Sequence, residues 1–296
     1  MDARPLTRCR RPAVDLLEPD PASFVHKGHR IVYEEHGEGD RLIVYMHGLL
    51  LDADLNRGVA RALAAQGNRV ILLDLLGHGR SDKPTHASEY RIDLYVEQVF
   101  ALLDSLGAAD AVLGGLSLGA NVSLLAAVEE PERVRGLVLE MPVLERAAPS
   151  VAMTFVPLLL ALHYATIPVR LLNVLAKRVP RSHFGPLDSI LNAASLDTEQ
   201  MAAVLHGVLL GPIGPTVEQR RSIATPALVL AHRWDLIHPF SDATNLCRQV
   251  PNAELVPAHS PFELRLRPDR LTAEIAAFLE DVWEEDPNSA SAHPIS

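Results

Sequence analysis

The order of apolar runs predicts an α/β protein whose mostly parallel central sheet is flanked by helices. Three observations carry this. Short runs rich in Val, Ile and Leu recur at 41–48, 69–75, 111–113, 134–141, 226–232 and 253–258, and most lack polar alternation, as expected of strands buried on both faces. Stretches of helical spacing separate them, which implies parallel pairing through right-handed crossovers. The third is DAVLGGLSLGANVSLLAAV, residues 110–128, where a strand-like run meets a helical pattern with almost no loop between them. With a hairpin ahead of the series, the count is about eight strands.

That junction reads as a tight turn with one hydroxyl at its apex. Gly115 and Gly119 flank Ser117, and side chains at either glycine are expected to collide with the neighbouring strand or helix. Gly-x-Ser-x-Gly between a strand and a helix is the nucleophile-elbow pattern. The turn places the backbone amide of Leu118 at a helix N-terminus, where unpaired amides and the helix dipole favour negative charge.

Residues 1–22 include the Arg- and Pro-rich MDARPLTRCRRP, which lacks the apolar core of a secretory signal and is expected to be a disordered leader. SFVHKGHRIVYEEHGEG, 23–39, reads as a hairpin around Lys27-Gly28. RLIVYMHG is a buried strand ending in His47-Gly48, and residues 54–66 have helical spacing. RVILLDL, 69–75, is the next strand, followed by the loop LGHGRSDKP. Apolar residues from Ile92 to Leu106 fall on one helix face. VRGLVLEM, 134–141, follows the elbow.

The alternation then pauses. Residues 142–222, rich in Leu, Ala and Pro, show no clear strand and are expected to form a helical cap over the strand ends. VPLLLALHYATIPVRLLNVLA, 156–176, is apolar, but Pro157, His163, Pro168 and Arg170 interrupt it, so two short helices fit better than a membrane span. The core resumes with PALVLAHR, a helix from about 241, the strand AELVPA and a closing amphipathic helix over 269–284. Core segments 23–141 and 223–284 thus bracket the cap, and 285–296 is expected to be a disordered tail.

Composition narrows the partners. In 296 residues, 48% are hydrophobic and the formal net charge is −10. The charge argues against nucleic acid and against a broadly basic membrane-binding face. Cys9 and Cys247 make neither a disulfide framework nor a metal pattern, which fits a reducing, cytoplasmic setting and no metal cofactor.

Several motifs in one order resemble the α/β-hydrolase fold family, in its serine esterase and lipase-like branch, from about residue 23 to 284. These are His47-Gly48 after the third strand, DLLGHGRSDKP at 74–84, the elbow GLSLG, TPALVLAHRWDLIHP at 225–239 and AELVPAHSPFE at 253–263. The resemblance implies a Ser, acid, His order. Position by position, that gives Ser117, Asp235 and His259, with the backbone amides of Leu49 and Leu118 as the oxyanion hole. Glu140, at the end of the strand after the elbow, is the rival acid. The sequence departs from the family at His232 and Ala258, where relatives carry glycine, and His232 and His238 lie close to Asp235. His238, before Pro239, is expected to start the next helix and face away. Asp74, His78 and Ser81 read as structural.

The implied activity is cofactor-free hydrolysis of a carboxylic ester, thioester or lactone through an acyl-enzyme on Ser117. Phe155, Leu158, Leu159, Leu162 and Leu172 are expected to line an acyl pocket under the cap. A serine nucleophile disfavours epoxide hydrolase and haloalkane dehalogenase relatives, which attack with a carboxylate. The alternatives are C–C hydrolysis, acyl transfer or cofactor-free peroxidation on the same fold, and a non-catalytic binding protein on a hydrolase scaffold.

Overall fold

The computed structural model describes residues 19–284 apart from residue 183. Residues 1–18 of the leader expected over 1–22, and the tail expected over 285–296, lie outside the described residues.

Eight strands form one sheet: β1 Ala22–His26, β2 His29–His36, β3 Leu42–Met46, β4 Arg69–Asp74, β5 Ala111–Leu116, β6 Val134–Glu140, β7 Ala227–His232 and β8 Ala253–Ala258. Their order is β1-β2-β4-β3-β5-β6-β7-β8. The hairpin β1–β2 is antiparallel, and β2 meets β4 antiparallel. All pairings from β4 through β3 to β8 are parallel. The runs lacking polar alternation are the central strands: every residue of β3 and β7 is buried, and only the first of β4 and the last of β5 are less so.

One face of the sheet packs on α2 (Ile92–Leu106) and α3 (Leu118–Glu129), through residues such as Val44, Leu73, Leu113, Val99 and Val122. The other packs on α1 (Arg57–Ala64) and α11 (Asp269–Glu284), through Tyr45, Leu72, Leu63 and Ile275. α9 (Phe240–Gln249) joins β7 to β8, and the short α10 (Glu263–Leu266) precedes α11.

Between β6 and β7 the chain is helical, as its composition predicts: α4 Ala148–Tyr164, α5 Thr166–Arg178, α6 Gly185–Ala194, α7 Thr198–Leu209 and α8 Val217–Ser222. The apolar stretch at 156–176 is divided at Ala165, where α4 and α5 meet at 104°. Among the described residues no single helix is long and apolar enough to cross a membrane.

Asp74 fixes the loop after β4, as its structural reading anticipates. Its Oδ1 accepts the Ala53 amide at 2.8 Å and its Oδ2 the Arg80 amide at 3.0 Å. Ser81 Oγ accepts the Val32 amide at 2.8 Å, tying the same loop to the hairpin.

Candidate active site

Parallel strands deliver their C-terminal ends to one edge of the sheet, and the loops beyond β3, β5 and β7 meet there. The β5–α3 junction supplies Ser117 at φ +53°, ψ −103°, a conformation that non-glycine residues rarely adopt. The fold enforces it. The Ser117 amide donates to the Glu140 carbonyl at 2.8 Å, and the Ser117 carbonyl accepts the Asn121 amide at 3.0 Å as α3 begins. A Cβ at Gly115 would lie 2.6 Å from the Met46 carbonyl oxygen, and one at Gly119 2.7 Å from the same oxygen. The crowding expected from sequence is therefore present, with β3 as the obstruction.

The loop after β7 supplies the other two groups. Asp235 Oδ1 accepts the backbone amides of Ile237 at 2.7 Å and His238 at 2.9 Å. This side-chain turn curls the chain back on itself. It brings His238 Nδ1 to 2.9 Å from Asp235 Oδ2, and His238 Nε2 to 3.0 Å from Ser117 Oγ. An ionised carboxylate only accepts, so Nδ1 carries the proton and donates it to Asp235. Nε2 is then the lone-pair nitrogen, and the Ser117 hydroxyl donates to it. Burial alone would raise the Asp235 carboxyl, but the His238 ring and the two amides hold it down at about 2.

His259 is elsewhere, contrary to the expectation from the resemblance. Its side chain is 78% exposed and its Nδ1 lies 3.4 Å from Glu263 Oε1, while its backbone amide also donates to Glu263. The reason is local: Glu263, held in turn by Arg270 at 2.8 Å, anchors the residue after β8 outward. The expectation that His238 faces away is likewise corrected. It sits ahead of Pro239, which caps α9, with its ring turned to the sheet edge.

His232 is buried at the end of β7. Its Nδ1 accepts the Trp234 amide at 3.2 Å, which leaves the proton on Nε2, 3.4 Å from Asp235 Oδ2. Glu140 takes no part. Its side chain turns to the α1 face of the sheet, where it pairs with Arg265 of α10 and accepts the Tyr45 hydroxyl at 3.0 Å.

A cavity of about 160 Å³ opens beside Ser117 and His238. Leu49 and Leu118, the residues whose amides the resemblance assigns to an oxyanion hole, both line it. Leu50 follows at φ +64°, where the chain turns so that the Leu51 amide donates to the Gly48 carbonyl at 3.0 Å. The remaining wall is mostly apolar and includes Val143, Val151, Phe155, Val208 and Ile213. Asn121 also lines it, but its side chain is occupied by the backbone of Val143, at 2.7 and 3.0 Å, and of Ile213. No charged side chain lines this cavity among the described residues.

Of the five residues expected to line it, Phe155 does so. Leu158, Leu159 and Leu162 follow on the same inward helix face but pack against the hydrophobic core, because the cavity lies under the N-terminal half of α4. Leu172 is on α5 and exposed. The residues missed, Val151, Val208 and Ile213, come from three separate cap segments, and no local pattern marks their convergence. His238 did leave a signal: an Asp-x-x-His spacing in a loop after a buried strand.

Residues 41–254 match the family described as alpha/beta hydrolase fold. A haloalkane dehalogenase of Mycolicibacterium paratuberculosis is 34% identical over 110 residues, 36% of this chain and 36% of that protein, so the match spans about a third of that relative's length. The Bacillus subtilis AB hydrolase superfamily protein YisY is 29% identical over 255 residues, covering 78% of this chain and 90% of its own. Among solved structures, the enol-lactonase from Burkholderia xenovorans LB400 superposes with a TM-score of 0.70 at 22% identity, over 88% of this chain and all of that one.

Proposed function

This chain is an enzyme of the alpha/beta-hydrolase fold family, and from that premise we propose a serine hydrolase that cleaves uncharged esters of short apolar acyl groups, with Ser117 as nucleophile, His238 as base and Asp235 as its orienting acid. The observation that carries the proposal is the unbroken hydrogen-bonded chain from Ser117 Oγ through His238 to Asp235. A serine hydroxyl is a weak nucleophile unaided, and an imidazole held in one tautomer by a carboxylate is what activates it.

The steps follow from the geometry. Ser117 Oγ attacks the ester carbonyl while its proton passes to His238 Nε2. The carbonyl oxygen, now negative, lies against the Leu49 and Leu118 amides, the latter at the start of α3. The tetrahedral species collapses, and the alcohol leaves with the proton from Nε2. Water then gives its proton to Nε2 and attacks the acyl-enzyme, and a second collapse frees the acid and restores the Ser117 hydroxyl.

The cavity argues the substrate class. With no lysine or arginine lining it, a carboxylated or phosphorylated acyl group gains no partner and loses its hydration. At about 160 Å³ the cavity lies at the small end for a ligand site, which suits a compact acyl group rather than a long chain. A lactone, the bond named in one structural relative, uses the same steps without releasing a separate alcohol.

A fluorophosphonate probe and an aryl-ester series of increasing acyl length test the reading. Labelling that disappears in Ser117→Ala, with turnover peaking at short chains, is the expected result. An unlabelled wild-type protein that turns over no ester overturns it.

A further inference from the structure

The net charge of −10 hides a local reversal. From Arg146 to Leu187 the chain contains no Asp or Glu, while Arg146, Arg170, Lys177, Arg178 and Arg181 all fall in it. This acid-free segment is α4 and α5 with their flanks. α4 carries no Lys, Arg, Asp or Glu at all.

The same segment leaves its outer apolar side chains in water. Met153, Tyr164 and Ile167 are 80%, 80% and 81% exposed, and Leu160, Leu171 and Leu172 join them. Monomeric proteins rarely leave so contiguous an apolar face bare unless something covers it. The inner side of α4 behaves differently: Val151 and Phe155 roof the cavity. The cap is thus a thin wall with the cavity on one side and an uncovered apolar surface on the other.

Shape and charge select the cover. At 1.5 Å per residue, α4 and α5 are about 25 and 20 Å long, short of a hydrocarbon core of about 30 Å, and their 104° bend keeps them from running on as one span. Helices that are apolar on one side and bear basic residues at the edge lie in the plane of a lipid surface. Two of the cations are loosely committed, whereas Arg181 is held by Asn192, Ser195 and the Val179 carbonyl. Lys177 meets Asp197 at 2.8 Å and Arg170 meets Glu199 at 3.6 Å, both in solvent, where such pairs are weak and easily exchanged for lipid phosphates.

We propose that the outer face of the α4–α5 bend seats this enzyme peripherally on an anionic lipid surface. An acyl ester dissolved in that surface would then meet the cap wall that bears Phe155; this consequence, unlike the docking, rests on the proposed hydrolase reading.

The test uses Ser117→Ala protein, so that no hydrolysis intervenes, co-sedimented with phosphatidylcholine vesicles containing or lacking phosphatidylglycerol. Binding is expected to the anionic vesicles, weaker to the neutral ones, and weaker again in high salt. Ile167→Glu/Leu171→Glu alters side chains already in water, so its melting temperature should match the parent while its vesicle binding falls at least about tenfold. Lys177→Glu/Arg178→Glu should lose only the anionic preference. The proposal is overturned if the parent stays in the supernatant with both vesicles, if it binds both equally, or if the Glu pair changes nothing. It is also overturned if the face proves to be a dimer contact, seen as dimers in sedimentation velocity that the Glu pair dissolves without any vesicle binding. Vesicle binding by a protein whose wild type turns over no ester leaves the docking intact and sinks only the hydrolase reading.

Discussion

His238 and Asp235 stand on the same turn, three residues apart, with His238 Nδ1 2.9 Å from Asp235 Oδ2. Both side chains therefore reach the Ser117 end of the sheet on one loop after β7, and the residue after β8 that the resemblance nominates is left pointing at solvent.

Paired substitutions separate the two histidines. His238→Ala should lower kcat by about 10⁵–10⁶-fold, because a serine without its base retains only what binding and the oxyanion amides provide. His259→Ala should leave kcat unchanged and cost only its exposed contact to Glu263. Steady-state hydrolysis of a short aryl ester by the two variants decides it, and the reverse pattern returns the base to the loop after β8.

The reason sequence favoured His259 is instructive. The strands, elbow and cap were legible because each rests on local information: apolar runs, glycine placement at 115 and 119, and a change of periodicity after Glu140. Ser117 and Asp235 inherit that legibility, since each sits directly beyond a buried strand. The histidine is not fixed so locally. Its ring direction depends on Asp235 folding back over the Ile237 and His238 amides, a side-chain turn that spacing alone does not reveal. The weak signal was double, with Ala258 replacing glycine before His259 and Asp235-x-x-His238 forming an i, i+3 pair. The cavity wall was illegible for another reason, being gathered from α4, α7 and the loop at Ile213 by tertiary packing.

Asp235 should also leave a mark on acid stability. Burial opposes its ionisation, yet His238 and the two amides bring its pKa to about 2, below the roughly 3.9 of an unfolded aspartate. A lowered pKa means the unfolded chain binds more protons between those values. The stabilisation is complete above about 4 and is lost as pH falls toward about 2. Asp235→Asn lacks this titration. The difference in melting temperature between wild type and Asp235→Asn should shrink as pH falls through that window, as followed by circular dichroism. At neutral pH the same variant should lose about 10⁴-fold in kcat, since the amide can present the wrong face to Nδ1.

Glu140 should be a stability residue with no catalytic effect of its own. It is buried against Arg265, whose second guanidinium nitrogen donates to Asn56 Oδ1 at 2.6 Å, and burial followed by the Glu140 charge pushes the Tyr45 hydroxyl well up. Glu140→Gln leaves a buried guanidinium without its anion, which typically costs about 3 kcal/mol or more. Denaturant unfolding should show that loss, while kcat per folded molecule stays near the wild-type value. A large fall in kcat at undiminished stability would move the acid from Asp235 to β6.

Phe155 is where cavity size becomes measurable. Its ring forms part of the wall beside Ser117 and also packs against the small cluster of Val143, Ala147 and Val151. Phe155→Ala removes that ring, and because the residue is only half-buried the cost should fall below the about 3–5 kcal/mol of a fully buried phenylalanine. The space released adjoins the cavity, so the variant should gain on longer acyl chains what it loses on short ones. Each methylene newly accommodated is worth about 0.8 kcal/mol of burial, close to fourfold in kcat/KM. The measurement is kcat/KM across an acyl-length series for wild type and variant, below the variant's melting temperature. A chain-length optimum that does not move places the acyl group away from Phe155, whereas an optimum displaced by one or two carbons fixes the acyl chain under the N-terminal half of α4.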